Sequence, residues 1–219
     1  MQTTKRLFDE NPYEYQFSAN VTFVGEDYII LDQTLFYPFS GNQDFDTGTI
    51  EGEVVTAVYV DAPDDGQLDF SAPIKHFVIT DNFNVGQRIR GNINRGRREA
   101  TMRLHTASHL VEFFIKKNPE FLSVEGSLVN SVKDRTDYLL AKNIDPQGLA
   151  ELELQINNFI HQGHPVKFEF EDGLRIWCCD EIRMPCCGTH VLNTSEIGQV
   201  KLSRKNKGKG LNRIECSLT

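Results

Sequence analysis

His105-Thr106-Ala107-Ser108-His109 sets two imidazoles four positions apart inside a segment, 101–117, of helical composition. On a helix, residues i and i+4 lie one turn apart on one face, so both rings can reach a single ion. A second stretch, Cys186-Cys187-Gly188-Thr189-His190, repeats the spacing with a thiolate and a third imidazole. Three nitrogens and one sulfur suit zinc, for which imidazole and thiolate are the usual protein ligands. One such pair would be weak evidence, but two in a chain with only six His and five Cys make a constellation. The expected metal ligands are His105, His109, Cys186 and His190, with zinc as cofactor.

At about 100° per residue, Leu104, Ala107, Val111, Phe114 and Ile115 gather on one side of this helix. His105, His109 and Glu112 fall roughly opposite, so the rings are expected to face solvent or a cleft. Glu112 reads either as a carboxylate supporting the ligands from behind or as a solvated surface acid. The helix should stop before Asn118-Pro119, because proline cannot continue it.

Outward from that helix the patterning changes. Residues 13–95 read as short strands, at 16–24, 28–32, 49–60, 74–79 and 87–93, several with period-2 alternation. Gly25-Glu26-Asp27, Ser40-Gly41-Asn42 and Pro63-Asp64-Asp65-Gly66 supply turns between them. That spacing predicts a small β-barrel over 1–95. Beyond it, a zinc-binding unit of α+β class is expected over 96–219. A second helix is expected at 147–161, and strands at 165–171, 174–179, 198–203 and 212–218. Cys178 and Cys179 fall in one of these strands and read as buried thiols, with a second pair of metal ligands as the alternative. His76, His161 and His164 lack a spacing partner and read as structural.

An apolar content of 39% supports one sizeable core or two smaller ones. No run of about 18 apolar residues is present, which excludes a transmembrane helix. The first residues lack an apolar signal core, and the odd number of cysteines points to reduced thiols; both suggest the cytoplasm. Net charge is −8, yet its distribution is uneven. Residues 1–87 hold 15 acids against 3 bases, and residues 88–219 hold 20 bases against 16 acids. Arg88, Arg90, Arg95, Arg97, Arg98 and Arg103 form one basic cluster. Lys201, Arg204, Lys205, Lys207, Lys209 and Arg213 form another. Two such clusters beside a metal motif fit a phosphate-rich partner, and equally fit solvated loops and strand faces.

His105-Thr106-Ala107-Ser108-His109 and Cys186-Cys187-Gly188-Thr189-His190-Val191 resemble the paired signatures of alanyl-tRNA editing proteins, free-standing relatives of the editing domain of alanyl-tRNA synthetase. Leu31-Asp32-Gln33-Thr34-Leu35-Phe36-Tyr37-Pro38, Gln43 and Asp46-Thr47-Gly48 are similar to the family's N-terminal motif. Asn193-Thr194-Ser195-Glu196-Ile197-Gly198, and Lys207-Gly208-Lys209-Gly210 with Arg213-Ile214-Glu215, resemble its C-terminal segment. Two departures stand out: Phe39-Ser40-Gly41-Asn42-Gln43 replaces a glycine-rich loop, and Cys187 stands where the family has glycine.

The resemblance implies a barrel followed by an α/β-sandwich editing domain of the threonyl/alanyl-tRNA synthetase type. It implies hydrolysis of the ester that joins serine, or glycine, to alanine tRNA. The logic is steric: a synthesis pocket shaped for a methyl group rejects an added hydroxyl poorly, and a second hydrolytic site restores fidelity. By the same resemblance, Ser127 contacts the amino-acid hydroxyl and Gln43 orients substrate; read alone, both are ordinary turn or strand residues. Arg95, Arg97, Arg98, Arg103, Lys205, Lys207, Lys209 and Arg213 are the residues expected to meet tRNA phosphates. Editing of Ser-tRNA(Thr) and a non-catalytic, zinc-stabilised RNA-binding protein are the rival readings. A zinc-finger transcription factor fits poorly, since neither pair has finger spacing.

Overall fold

The computed structural model describes residues 3–61 and 72–219, and the turn expected at Pro63-Asp64-Asp65-Gly66 lies outside them. The chain divides into two compact units, Met1–Glu99 and Ala100–Thr219.

The first unit contains β1 (Lys5–Arg6), α1 (Leu7–Glu10), β2 (Gln16–Val24), β3 (Tyr28–Leu31), β4 (Gln33–Thr34), β5 (Gly48–Ile50), β6 (Glu53–Val55), β7 (Ala57–Val60), β8 (Ile74–Phe77) and β9 (Arg88–Ile93). Seven of these strands form one antiparallel sheet in the order β6-β5-β9-β2-β3-β8-β7. β2 changes partner along its length. Residues 16–20 pair with β9, and from Val21 onward the strand pairs with β3, with a register shift between Val21 and Phe23. Phe17, Ala19 and Val21 alternate inward and join Ile29, Leu31, Phe36, Ile50, Val58, Ile74 and Ile89 in the core. Each of the Val, Leu, Ile and Phe side chains among them is worth roughly 1.5–3 kcal/mol when fully buried.

The closed barrel expected from strand spacing is not found among the described residues. The single strand expected over 49–60 is three. Glu51 and Gly52 both take positive φ, which makes the turn of a hairpin between β5 and β6. The edge strands β6 and β7 then follow one another through Thr56 alone, joined end to end by the chain rather than side by side by a ladder. The β7 edge is capped instead by Phe39, whose N–H donates to the Val58 carbonyl at 2.8 Å.

The second unit takes up helix α2 (Arg95–Lys116), within which the division falls. It continues with β10 (Phe121–Val129), β11 (Asp134–Leu140), α3 (Pro146–Gln162), β12 (Val166–Glu171), β13 (Leu174–Cys179), β14 (Ile182–Pro185), a 3-10 turn at Thr194–Ile197, β15 (Val200–Asn206) and β16 (Leu211–Leu218). There are two antiparallel sheets, β10-β11-β16-β15 and β12-β13-β14. With the helices they give the α+β class read from the sequence. The start of α3 follows from local chemistry: the Asp145 carboxylate accepts from Gly148 N–H at 2.8 Å and Pro146 opens the first turn. Gly163 ends it at φ 74°. Leu152, Ile156 and Ile160 are its buried stripe. No described helix is long and apolar enough to cross a membrane.

Candidate metal centre

Helix α2 carries both His105 and His109, and neither faces solvent: they are 7% and 9% exposed, while Leu104, Ala107 and Val111 on the other side are fully buried. The expectation that the histidine side looks outward is therefore corrected. Aromatic rings make that side interior. Trp177 of β13 stacks on His109 with centroids 4.8 Å apart, and the His190 ring lies 4.2 Å from His105 and 4.9 Å from His109.

The ligand atoms of His105, His109, Cys186 and His190 all lie within 4.8 Å of one another. Cys186 Sγ is 3.5 Å from His105 Nε2 and 3.2 Å from His190 Nε2. Bond lengths of about 2.3 Å to sulfur and 2.0–2.1 Å to nitrogen place tetrahedral ligands roughly 3.5 Å apart, so this spacing fits one ion. His109 Nε2 is buried with no hydrogen-bond partner, an orphaned lone-pair atom in the group. Its Nδ1 meets the Met184 thioether sulfur at 3.2 Å.

Hydrogen bonding fixes the tautomer of one ring. The Thr106 hydroxyl donates its single proton to the Met102 carbonyl at 2.9 Å. Toward His190 Nδ1, 3.2 Å away, it must therefore accept, and Val191 N–H fills its other lone pair at 3.2 Å. His190 thus carries its proton on Nδ1, and Nε2 turns a bare lone pair toward Cys186. An outer partner of this kind is what metal-ligating histidines ordinarily have.

Protonation follows from burial. Desolvation, then the neighbouring His109 and Arg175, hold His105 well below the usual histidine range. His190 is held low in the same way, by burial and then by His105, His109 and Arg175. His109 is lowered to about 4 by burial and by Lys116. All three are neutral near pH 7, as ligation requires. Burial pushes the Cys186 thiol up to about 12, with Gly188 N–H and Arg175 opposing it. A bound cation reverses that logic and takes the sulfur as thiolate.

The loop after β14 is tied to β13. Cys186 N–H donates to the Arg175 carbonyl at 2.9 Å, and the Arg175 guanidinium donates back to the carbonyls of Cys186 and Gly188 at 3.3 and 2.8 Å. Gly188 N–H points at Cys186 Sγ at 3.4 Å. Arg175 is buried, with its guanidinium 3.6 Å from the Phe168 ring centroid. Sequence reasoning missed Arg175, Trp177 and Met184. Their signal was positional: Arg175 and Trp177 stand two apart in the strand that pairs with the one leading into Cys186. Cys178 and Cys179 are buried strand residues outside the group, as read, and all five cysteines are free.

The remaining expected site residues are distributed as follows. Ser127 is half-buried on β10, directly opposite Thr136 of β11. Glu112, three residues beyond His109, pairs with Lys116 one turn along, and its charge reaches the Cys186 thiol. Gln43 is buried in the first unit, closing a turn in which Gly41 and Asn42 take φ of 55° and 64°. Lys207 and Lys209 are exposed, and Lys205 is exposed beside Glu215. Arg95 is exposed beside Glu99, Arg97 pairs with Asp44, and Arg103 donates to the Ile197 carbonyl at 2.8 Å. Arg213 is held by both oxygens of Asp137 at 2.7 Å, which ties β16 to β11. Arg98 is a correction. It is fully buried against Asp46 and the carbonyls of Leu35 and Pro12, so no edge of it is open to a phosphate.

Fold and site together define an α+β protein with a buried three-histidine, one-cysteine group able to hold a metal ion. Residues 178–215 match the family described as the threonyl and alanyl tRNA synthetase second additional domain. The chain is 31% identical to the alanyl-tRNA editing protein AlaX-M of Pyrococcus horikoshii, covering 98% of both. It is 32% identical to the protein of the same name from Methanosarcina acetivorans, covering 98% of this chain and 99% of that one. Against the alanine–tRNA ligase of Methanoregula boonei it is 30% identical over 97% of its own length, but it spans only about a quarter of that ligase, 25%. The chain belongs to the family of AlaX-type alanyl-tRNA editing proteins.

Proposed function

We propose that the protein is a trans-editing hydrolase that removes serine, and glycine, from alanine tRNA by a zinc-dependent ester hydrolysis. The carrying observation is the convergence of His105, His109, Cys186 and His190, from segments some eighty residues apart, into one group within 4.8 Å. Family membership supports the tRNA substrate, and the α/β-sandwich editing type for the second unit. The boundary proposed for the two functional domains is residue 95. A zinc ion bound by these four side chains would supply Lewis acidity at neutral pH, for water or for the ester.

The chain's own residues have definable tasks in this reading. Thr106 holds the His190 ring with its bare nitrogen inward. Trp177 covers His109 and excludes water from that side. Ser127 offers a hydroxyl to the side chain of the amino acid, Gln43 orients substrate, and Glu112 acts through its charge on the ligand thiol. Lys205, Lys207 and Lys209 are exposed cations for acceptor-stem phosphates, with Arg95, Arg97, Arg103 and Arg213 contributing where their carboxylate or carbonyl partners release them. The expected location is the cytoplasm, where charged tRNA is used.

The test is deacylation of Ser-tRNA(Ala), Gly-tRNA(Ala), Ser-tRNA(Thr) and Ala-tRNA(Ala), with and without chelator. Hydrolysis of Ser-tRNA(Ala), lost on chelation and restored by zinc, with Ala-tRNA(Ala) spared, is expected. Preference for Ser-tRNA(Thr) would reassign the tRNA. Activity that persists when the double variant His105→Ala, Cys186→Ala has lost its zinc would reduce the metal to a structural role.

A further inference from the structure

The Cys186–His190 ligand pair sits on a loop, and a loop holds two ligands at fixed spacing only if its backbone is fixed. Arg175 is one of the residues that fix the Cys186–Gly188 segment. Arg175 meets it at three points: its carbonyl accepts from Cys186 N–H, and one guanidinium nitrogen bridges the carbonyls of Cys186 and Gly188. The guanidinium is itself held face-on to Phe168. A lysine reproduces this arrangement poorly, since the two N–H bonds of that nitrogen are fixed in the guanidinium plane stacked on Phe168, while an ammonium is a mobile point donor.

The charge of Arg175 works the other way. Three neutral imidazoles, one thiolate and a divalent cation carry a net positive charge, and a nearby buried cation repels it. Geometry and charge therefore predict opposite consequences for metal affinity. The bridge favours binding by holding Cys186 and His190 in place. The charge opposes it.

We infer that Arg175 is the positioning residue of the metal centre: by clamping the Cys186 and Gly188 carbonyls it sets the sulfur and the His190 nitrogen at ligand spacing, and this outweighs its repulsion of the ion. The inference rests on the metal reading proposed above but not on the reaction. Nothing requires Arg175 to touch substrate.

The test uses the full chain, wild type against Arg175→Met and Arg175→Lys, with zinc alone titrated in competition with a chromophoric chelator. Cobalt is loaded in parallel, for its visible absorption bands. Arg175→Met is expected to bind zinc about 10- to 100-fold more weakly, the range for loss of a group that orients metal ligands. Its cobalt bands should lose the intensity of a regular tetrahedral site. Arg175→Lys should fall closer to the methionine variant than to wild type. Zinc binding by Arg175→Met that is unchanged or tighter, with an unaltered cobalt spectrum, would overturn the proposal, as would full rescue by lysine. Should Arg175→Met fail to fold, Arg175→Lys decides alone. Phe168→Leu, which removes the ring but none of the loop's hydrogen bonds, should cost little affinity. A wild type that binds zinc yet cleaves no aminoacyl-tRNA would sink the hydrolase reading and leave the Arg175 assignment standing. A wild type that binds neither metal would end both.

Discussion

Each unit of this protein buries a polar cluster, and the two clusters differ in whether they are complete. In the first unit, the Arg98 guanidinium meets Asp46 and the carbonyls of Leu35 and Pro12, and the other oxygen bonds of Asp46 include Tyr37 N–H at 2.7 Å. In the second, His109 Nε2 is buried without a hydrogen-bond partner, and Cys186 lies with three imidazoles whose ligand atoms are within 4.8 Å of one another. A complete network holds a fold. A buried group of three imidazoles and a thiol, with one ring nitrogen unpartnered, is arranged instead so that it could hold a cation.

The sharpest way to break the comparison is to remove a partner from the complete cluster. Asp46→Ala strands the Arg98 cation and should destabilise the first unit by about 3–5 kcal/mol, read by urea unfolding, with zinc stoichiometry unchanged. A loss below 1 kcal/mol would mean the pair is solvated and that the contrast between the clusters is false.

A buried acid in the second unit supplies the next test. Asp134 is raised from 3.8 to about 7 by burial, with Thr136 and the Arg135 backbone opposing and Glu112 assisting. The folded state therefore holds a proton that the unfolded chain releases from about pH 4 upward. Its contribution is present below pH 4 and is lost as pH rises through 7. Asp134→Asn should be more stable than wild type at pH 8 by an amount on the order of 2–4 kcal/mol, with the gap closing toward pH 4. A pH-independent difference between the two proteins would refute this.

Thr106→Val removes the acceptor that fixes the His190 tautomer and leaves the shape nearly unchanged. Zinc affinity should fall about tenfold or more, while Thr106→Ser should retain it; equal affinity in all three would show that the incomplete cluster needs no outer support. The smallest expected effect is at the surface. Replacing Lys205, Lys207 and Lys209 together with Ala should weaken tRNA binding and lower the slope of log affinity against log salt by up to about one per lysine. An unchanged slope would move the phosphate contacts elsewhere.

How much of this was legible depended on whether a residue announces its own partner. The ligand set could be read because i, i+4 spacing is geometry written in the sequence. Helix α3 could be read at 147–161 from its apolar residues, of which Leu152, Ile156 and Ile160 form the buried stripe. β10 and β11 were passed over because the inward face of β11 carries Asp134, Thr136 and Tyr138, which read as solvent-facing. Arg98 was misread as a surface charge, since Asp46 lies 52 positions away and nothing in the local pattern names it. The barrel was expected because strand spacing is local, whereas closure depends on the pairing of two edges that here run on through Thr56. Arg175 was invisible for the same reason: its acceptors are backbone carbonyls, which every residue has.

The Thr106 hydroxyl has one further consequence. Its proton goes to a carbonyl one turn back in its own helix, so the protonated edge of a ring 84 residues downstream depends on that turn being wound. Were residues 102–106 to fray, the hydroxyl would be free to reverse its role, and His190 could flip its lone pair away from the sulfur. In the proposed metal reading, capture of the ion would then wait on the coiling of a segment that lies outside the loop it controls.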